Sequence, residues 1–348
     1  MEKIQIDKPG GYDRLRLVSA PDLEPAAGKV LVSVHVAGVN YADCMVRMGL
    51  YASAKKYVGW PITPGFDFAG IVEKVGANVS KFHPGQQVFG VTRFGGYATQ
   101  VLVPAAQLFP LPPEMSLAQA GGVPTVFLTA WYALRELCRL RPGMKILVHS
   151  ASGGVGGAAL QLARAFGCEP IGIVGGAHKF EAAKKHGAAQ VFDKRAPDLW
   201  DQVRRAAPEG YAVVMDPNGE ETLMKSYQAL RPTGRLLVYG FSSMVPLNRG
   251  KPSYLRLATK YFKTPRFNPI LMTGSNKSVM AFNLSYLFDH HEMLAEGMDE
   301  LVELFAVRKL TPLDIQSFPL AHAAEAHRAL ESGTTTGKLV LSTGAPSP

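Results

Sequence analysis

The stretch best suited to chemistry is a glycine-rich turn, Ser150-Ala-Ser-Gly-Gly-Val-Gly156, which follows the apolar run Ile146 to Val148. Apolar residues then recur at helical spacing as far as Phe166. This order of strand, A-x-G-x-x-G turn and helix is typical of dinucleotide binding. The backbone can approach a pyrophosphate at Gly153, and Gly156 lets the helix pack on the sheet. The alternative is a strand-to-helix turn that binds no ligand.

The end of the next predicted strand indicates which dinucleotide is bound. Sites that prefer NAD place an aspartate or glutamate about 20 residues past the glycine turn, where its carboxylate binds the ribose hydroxyl. Here the strand ends Ile173-Val-Gly-Gly-Ala-His-Lys179, and no carboxylate follows before Glu181. The missing carboxylate therefore favours NADPH over NADH.

Composition limits the class of protein. A chain of 348 residues, 47% hydrophobic and 19% charged, predicts an ordinary globular protein of about two domains. No apolar run approaches the ~20 residues needed to span a bilayer. The first residues contain no signal-peptide core, so we expect a cytoplasmic protein. The three cysteines are far apart in sequence, which argues against a disulfide framework and a four-cysteine zinc site.

The formal net charge of +9 favours a basic enzyme that takes an anionic cofactor. The alternative is a protein that binds nucleic acid or an anionic membrane. The densest basic stretch, residues 249–266, contains no acidic residue. Three interpretations stay open for it: a surface helix and loop, a rim on the phosphate side of the site, or a membrane-surface patch.

Two kinds of segment must position these residues. Residues 1–118 contain short alternating runs with frequent Gly and Pro, such as Lys29–Val36 and Phe68–Val75, which predict a compact, barrel-like β domain. From the glycine motif onward, strand-like and helix-like segments alternate, which predicts a parallel sheet with helices on both faces. Two later strands, Tyr211–Asp216 and Gly234–Gly240, end in residues suited to a ligand-facing edge.

Five motifs follow one another along the chain: Gly38-Val-Asn-Tyr-Ala-Asp-Cys-Met-Val-Arg-Met-Gly-Leu-Tyr51, Pro64-Gly-Phe-Asp-Phe-Ala-Gly70, Leu128-Thr-Ala-Trp-Tyr132, Ala151-Ser-Gly-Gly-Val-Gly156 and Gly337-Lys338. In this combination they resemble the quinone oxidoreductase (zeta-crystallin) branch of the medium-chain dehydrogenase/reductases, over nearly the whole chain. Residues 214–219 and the long segment after Tyr239-Gly240 most resemble the vesicle amine transport protein subgroup. The resemblance implies an α/β protein with two domains. A GroES-like β-rich catalytic domain would comprise residues 1–119 and 266–348, and a Rossmann domain with a doubly wound parallel sheet, residues 120–265, would bind NADP.

The resemblance also bears on metal binding. Zinc-dependent relatives carry a cysteine at the position of Asn40 and a histidine at the position of Phe66. An amide and a phenyl ring cannot replace a thiolate and an imidazole as ligands of a catalytic zinc. We therefore expect a zinc-independent protein that holds no metal.

The cofactor residues that the resemblance implies lie in several segments. In similar proteins the lysine that matches Lys179 contacts the 2′-phosphate of NADPH, and Lys194 replaces a tyrosine that is usual there. A solvated helix face is the alternative for both lysines. The complete predicted set is Thr129, Ser152, Gly153, Gly154, Val155, Gly156, Gly175, Lys179, Lys194, Asn218, Tyr239, Gly240, Phe241, Ser242 and Lys338.

Chemistry without a metal leaves hydride transfer from the cofactor to an electron-poor carbon. Negative charge then develops on the enolate or hydroquinone oxygen of the substrate, which needs a hydrogen-bond donor. Asn40 and Tyr51 match polar residues near the nicotinamide in similar enzymes and are the predicted catalytic residues. Asn40 could instead be a structural turn residue, and Tyr51 could be an aromatic residue that covers the site. Asp43 and Arg47 are spaced for an intrahelical pair. Asp67 replaces a glutamate common in the family and is expected to support the site.

The leading functional prediction is an NADPH-dependent reductase of quinones or α,β-unsaturated carbonyl compounds, expected to be a homodimer. The alternative is an NADPH-binding interaction protein that acts at a membrane surface, through residues 249–266, or on nucleic acid; no specific nucleic-acid partner is expected. The segment 242–284 contains an amphipathic helix, Tyr254 to Phe262. We expect its apolar face to roof the substrate pocket and its basic residues to face solvent, with dimer contact or membrane adhesion as the alternative.

Overall fold

The structure is a computed structural model that describes residues 1–245 and 250–345. The first third of the chain consists mainly of strands, with three short helices. The strands are β1 (Glu2–Gln5), β2 (Arg16–Ser19), β3 (Lys29–Val39), β4 (Asp67–Val75), β5 (Gln87–Val91), β6 (Gln100–Pro104) and β7 (Leu108–Pro110), and the helices are α1 (Tyr41–Arg47), α2 (Ala52–Tyr57) and α3 (Leu117–Ala120). Ser116 caps α3, as its Oγ accepts a hydrogen bond from the Gln119 N–H at 3.2 Å.

The middle of the chain alternates strands and helices. After α4 (Pro124–Trp131) come β8 (Lys145–His149), α5 (Gly154–Ala165), β9 (Glu169–Val174), α6 (Phe180–Lys185), β10 (Gln190–Asp193), α7 (Leu199–Ala206), β11 (Tyr211–Asp216), α8 (Leu223–Gln228), β12 (Leu230–Val238), α9 (Tyr254–Lys263), α10 (Pro269–Ser275) and β13 (Ser278–Ala281). The described chain closes with α11 (His291–Ala306), β14 (Ile315–Pro319), α12 (Ala323–Glu331) and β15 (Lys338–Ser342).

The middle strands form one six-stranded parallel sheet in the order β10-β9-β8-β11-β12-β13. The order reverses between β8 and β11, and ligands of open α/β sheets bind outside the carboxyl ends of the strands at such a point. The strand β8 is almost fully buried, and the small residues Gly156 to Ala159 of α5 let the helix approach the sheet closely.

The strands from both ends of the chain share a second sheet. Its seven strands run β14-β15-β3-β4-β5-β7, with β6 paired to β3. The late strand β15 pairs antiparallel with β3, from Leu339 opposite Val39 to Ser342 opposite Val36. The predicted α/β fold, a GroES-like β-rich domain and a Rossmann domain with a parallel sheet, is thereby confirmed.

The structure differs from one predicted domain limit. Sequence analysis returns the chain to the catalytic domain at residue 266, yet β13 lies beyond it and pairs with β12 in the parallel sheet, from Arg235 opposite Ser278 to Val238 opposite Ala281. Its four residues are too few to show their sheet in the sequence. The other domain limits stay predictions, and the stated end at residue 348 lies outside the described residues.

Candidate active site

The glycine turn joins β8 to α5 with the geometry that its sequence predicts. Ser150 adopts a left-handed conformation with φ of 54°, and Gly153 is the N-cap of the twelve-residue helix α5. A Cβ on Gly156 would overlap the Ser150 carbonyl oxygen, so only glycine fits there. At Gly153 the nearest atom to such a Cβ would be 3.4 Å away. The turn is therefore closed on its sheet side and open at Gly153, where a phosphate group would approach.

A loop from the last part of the chain crosses to this turn. The Gly337 N–H donates to the Ser152 carbonyl at 2.9 Å, and Gly337 forms a β-bridge with Gly153. Lys179 Nζ donates to the carbonyl oxygens of Gly333 at 2.6 Å and Thr335 at 2.8 Å. Residues 333–337, the loop after α12, thus bind two segments that follow strands of the Rossmann sheet, one after β8 and one after β9.

Asn40 belongs to a buried polar cluster that this loop completes. Its Nδ2 donates to Asp67 Oδ2 at 2.9 Å, and its Oδ1 accepts from Lys338 Nζ at 2.5 Å. Lys338 also forms a 2.9 Å ion pair with Asp67, and both side chains are almost fully buried. The Thr125 N–H and hydroxyl donate to the other Asp67 oxygen. Asn40 is the N-cap of α1, so helix, strand and loop together fix the orientation of its amide.

This cluster also locates Lys338 and Thr129 of the predicted cofactor set. The Lys338 ammonium is engaged with Asn40 and Asp67 rather than directed at solvent. The Thr129 hydroxyl donates to the Thr125 carbonyl at 2.6 Å, one turn earlier in α4. Sequence reasoning missed Thr125, and no local signal marks it.

Tyr51 lies in an aromatic wall next to that cluster. Its ring packs edge-on against Phe66 and Phe94, with centroid distances of 5.8 and 6.4 Å. Its hydroxyl donates to Asn283 Oδ1 at 2.8 Å. Burial raises the pKa of Tyr51 to about 12, so it is a neutral phenol at physiological pH. Phe66, which contacts Tyr51, directly precedes Asp67, which binds Asn40. Two adjacent residues at the start of β4 therefore contact the two predicted catalytic residues.

The predicted phosphate-binding lysines follow two neighbouring strands, Lys179 after β9 and Lys194 directly after β10. Lys179 is 6% exposed, and burial followed by the charge of Lys194 lowers its pKa. Lys194 is exposed, and its Cε would lie 3.9 Å from a Cβ on Gly175. Sequence reasoning missed Arg195, whose Nη2 takes the space that a Cβ on Gly176 would need.

The ends of β11 and β12 hold the remaining predicted residues. Asn218 Nδ2 lies 3.2 Å from His149 Nδ1, and the Ser242 hydroxyl donates to Asn218 Oδ1 at 3.5 Å. Tyr239 follows β12, and Gly240 packs against Pro217. Phe241, next along the chain, is 44% exposed.

His149 is part of a buried network at this edge. Its Nε2 lies 3.0 Å from the Ser226 hydroxyl, which donates to Asp216 Oδ2 at 2.7 Å. Burial lowers the pKa of His149, so the ring is neutral. Asp216 also accepts the N–H of Asn218 at 2.8 Å, so this network shapes the turn that carries Asn218.

Behind α1, buried charged residues are paired differently from the sequence prediction. The predicted pair of Asp43 with Arg47 is wrong. The Asp43 carboxylate accepts the Asn40 and Gly65 N–H groups, both at 2.8 Å, while Arg47 forms a 2.6 Å ion pair with Glu331 of α12. The two side chains leave the same helix towards different elements, and each binds its partner there.

Ligand atoms of Cys44, His327 and Glu331 lie within 4.8 Å of one another in this region. The Arg47 guanidinium neutralises Glu331, and the Tyr12 hydroxyl donates to its second oxygen at 2.8 Å. The cluster is therefore the interior of an ion-paired network rather than a preformed metal site. Zinc independence stays a prediction.

The amphipathic helix α9 is oriented opposite to its prediction. Four large side chains of its apolar face are 68–81% exposed: Tyr254, Leu255, Tyr261 and Phe262. Two of its basic residues contact the protein, since Lys260 pairs with Glu220 at 2.9 Å and Arg256 donates to the Ser243 carbonyl at 3.3 Å. Acidic partners on the loop between β11 and α8 determine this orientation. The apolar face does not roof the pocket in this structure, and Arg249, where the predicted basic stretch begins, lies outside the described residues.

Within the described residues, no helix combines the length and apolar character needed to cross a lipid bilayer.

Comparisons with known proteins agree with this architecture. A family model described as the alcohol dehydrogenase GroES-like domain matches residues 26–113, and one described as zinc-binding dehydrogenase matches residues 154–280. The synaptic vesicle membrane protein VAT-1 homolog of Rattus norvegicus is 32% identical over 337 residues, 96% of this chain and 82% of that protein.

Two solved structures are similar over nearly the whole chain. An Escherichia coli quinone oxidoreductase complexed with NADPH superposes with a TM-score of 0.84 at 29% identity, over 98% of this chain and all of the other. The CurK enoyl reductase does so with a TM-score of 0.83 at 26% identity, over 98% of both chains. From fold, glycine turn and relatives together, the chain belongs to the medium-chain dehydrogenase/reductase family, in the branch of the quinone oxidoreductases and VAT-1 homologues, and is an oxidoreductase of that type.

Proposed function

We propose that the protein transfers hydride from NADPH to quinones or α,β-unsaturated carbonyl compounds, without a metal ion. One observation carries the proposal: a single short loop joins the candidate cofactor turn to the candidate catalytic amide. Gly337 binds the Ser152 carbonyl, and the next residue, Lys338, holds Asn40. A dinucleotide on the turn and a substrate beside Asn40 would therefore meet in one cleft.

The residues of the cleft fit a nicotinamide dinucleotide. Gly153 leaves the backbone open to a pyrophosphate, and the N-terminus of α5 presents free N–H groups to it. Cations lie at the carboxyl end of β9, and along the sequence no carboxylate follows this strand before Glu181, which suits a 2′-phosphate. When bound, the cofactor supplies the hydride, and the E. coli relative was solved with NADPH.

The chain itself would stabilise the oxyanion that develops on the substrate. Asn40 Nδ2 donates one of its two N–H groups to Asp67, which leaves the second for a substrate oxygen. Because Lys338 and Asp67 hold the amide from both ends, little reorganisation is needed during the reaction. Tyr51, a neutral phenol, is the second candidate donor and would have to leave Asn283 to act.

The aromatic wall supports an apolar, unsaturated substrate. Phe66 lies with its ring centroid 5.0 Å from Phe94 and 6.4 Å from Phe288, and it is 2% exposed. Rings at these distances exclude water and favour flat, apolar ligands. The CurK neighbour is named an enoyl reductase, and an enoyl group is an α,β-unsaturated carbonyl group.

A panel assay tests this function. NADPH oxidation is followed with quinones, enals and enones, for the wild type and for Asn40→Ala. We expect activity on at least one class and a roughly 10²-fold lower kcat in the variant, because a preorganised donor is lost. NADPH affinity should stay unchanged. A panel without turnover, or a variant as fast as the wild type, would contradict the proposal.

A second candidate function, interaction with an anionic membrane surface, is favoured by α9 and α10. Ile270 and Leu271 of α10, the helix that follows α9 along the chain, are 78% and 72% exposed. The sequence holds no acidic residue between Glu221 and Asp289. Co-sedimentation with anionic and with zwitterionic vesicles tests it: binding to the anionic vesicles alone, weakened by salt, is the expected result.

The expected homodimer stays a prediction, and light scattering in solution tests it.

A further inference from the structure

The end of β9 holds three cations around its two terminal glycines. They are Lys179, Lys194 and Arg195, and the carboxylate of Asp193 lies beside them. These four side chains carry a net charge of +2, so the edge attracts a dianion such as a phosphomonoester. The three cations are not equivalent, because their present partners differ.

Lys179 is already engaged. Two of the three N–H donors of its ammonium bind the carbonyl oxygens of Gly333 and Thr335, at 2.6 and 2.8 Å, and the side chain is 6% exposed. To reach a ligand phosphate, it would have to release a loop that is anchored on the glycine turn. Its contacts are those of a clamp on that loop.

Arg195 is available and oriented. Its Nε and Nη2 donate to the two oxygens of Asp193 at 3.2 and 3.0 Å, and its backbone N–H donates to the same carboxylate at 2.9 Å. The side chain is nevertheless 63% exposed. A guanidinium has five N–H donors, so three remain for an anion. Asp193 ends β10 in register with Val174, which fixes the arginine beside Gly176.

We propose that Arg195 selects NADPH over NADH by donating to the 2′-phosphate, and that Lys179 is a positioning residue that clamps residues 333–335. The inference rests on the proposed function, since it assumes that a nicotinamide dinucleotide binds in this cleft. Gly176 leaves room for the guanidinium, because a Cβ there would contact it. Asp193 orients Arg195, and exposed Lys194 adds unspecific positive charge.

Binding measurements separate the two roles. Calorimetry gives the affinities of NADPH, NADH, adenosine 2′-monophosphate and adenosine 5′-monophosphate for the wild type and for Arg195→Ala, Arg195→Lys and Lys179→Ala. The control is Arg204→Ala, since Arg204 also pairs with an aspartate, Asp201, at an exposed position. Circular dichroism and melting temperature establish that each variant is folded.

We expect Arg195→Ala to lower the preference for the 2′-phosphate about tenfold or more, in both ligand pairs, because a charge-assisted contact is lost. Arg195→Lys should fall between it and the wild type, since lysine keeps the charge but not the planar fork. Lys179→Ala should weaken NADPH and NADH by similar factors. Arg204→Ala should behave as the wild type.

Two results would overturn the assignment: an unchanged preference in Arg195→Ala, or a preference lost in Lys179→Ala while Arg195→Ala keeps it. Either result, with a wild type that prefers NADPH, leaves the proposed function intact. A wild type that binds neither dinucleotide contradicts the proposed function and the inference together.

Discussion

Lys338 Nζ donates to Asn40 Oδ1 at 2.5 Å, although the two residues are 298 positions apart in the chain. The same ammonium forms an ion pair with Asp67, so one cation satisfies an amide and a carboxylate in a buried site. Lys338, predicted from the sequence to bind the cofactor, therefore holds the candidate catalytic amide of Asn40.

Replacing Lys338 by methionine should therefore harm stability and catalysis together. The variant leaves the Asp67 carboxylate buried without its cation, and loss of one partner of a buried pair costs about 3–5 kcal/mol. Urea denaturation measures the free energy of unfolding. The matched control is Lys185→Met, whose partner Asp314 is 60% exposed and whose loss should cost about 0–1 kcal/mol. Equal losses in the two variants would contradict the role given to Lys338.

Tyr51→Phe tests the second candidate donor. Burial raises the pKa of Tyr51 to about 12, so no titration of this residue should appear in kcat between about pH 6 and about pH 9. If the phenol donates to the substrate, the variant loses at least about tenfold in kcat. Tyr57→Phe is the control, since Tyr57 lies at the other end of α2 and its ring packs against Tyr286. A kcat unchanged in Tyr51→Phe assigns the ring to packing alone.

Asp43 should make stability depend on pH. Burial, against the hydrogen bonds from the Asn40 and Gly65 N–H groups, raises the pKa of Asp43 from 3.8 to about 7. The folded state then holds this proton more tightly than the unfolded chain. The contribution is complete below about pH 4 and is lost as the pH rises to about 7, by up to about 1.4 kcal/mol per pH unit.

Unfolding free energies of the wild type and Asp43→Asn, measured across this window, check the prediction. The variant cannot titrate at this position, so its curve should fall less steeply between about pH 4 and about pH 7. Asp201→Asn, at an exposed position, serves as the control. Parallel curves for the wild type and Asp43→Asn would show that the carboxyl group does not titrate in the window.

Metal removal should have no effect. The resemblance places zinc ligands of zinc-dependent relatives at the positions of Asn40 and Phe66, and neither side chain suits zinc. Dialysis against a chelator should leave turnover and melting temperature as they were. Elemental analysis that finds one zinc per chain, lost together with activity, would refute this prediction.

The parallel sheet and the glycine turn were predictable because short-range patterns determine them. The apolar run before Ser150 and the helical spacing after Gly156 lie within one window of sequence. The resemblance added the pairing of both chain ends in one sheet. Contacts such as Lys338 with Asn40, or Lys179 with Thr335, join distant residues and leave no local pattern.

The helix α9 shows the same limit in another form. Its periodicity correctly indicates which residues share a face, as Tyr254 and Tyr261 do. Periodicity does not show whether that face points towards the protein or away from it. Glu220, some 40 residues before Lys260, determines that direction by pairing with it, and the sequence gives no sign of this partner.

The loop binds Lys179 at Thr335 and Asn40 at Lys338, and these contacts fix the number of residues that it can contain. Only two residues, Thr336 and Gly337, separate its two fixed ends, and Gly337 is itself bound to Ser152. One residue of extended chain covers about 3.3–3.6 Å, whereas a hydrogen bond tolerates a displacement of only a few tenths of an ångström. A single insertion or deletion here would release one end, so the length of this loop, as much as its composition, keeps the two halves of the cleft in register.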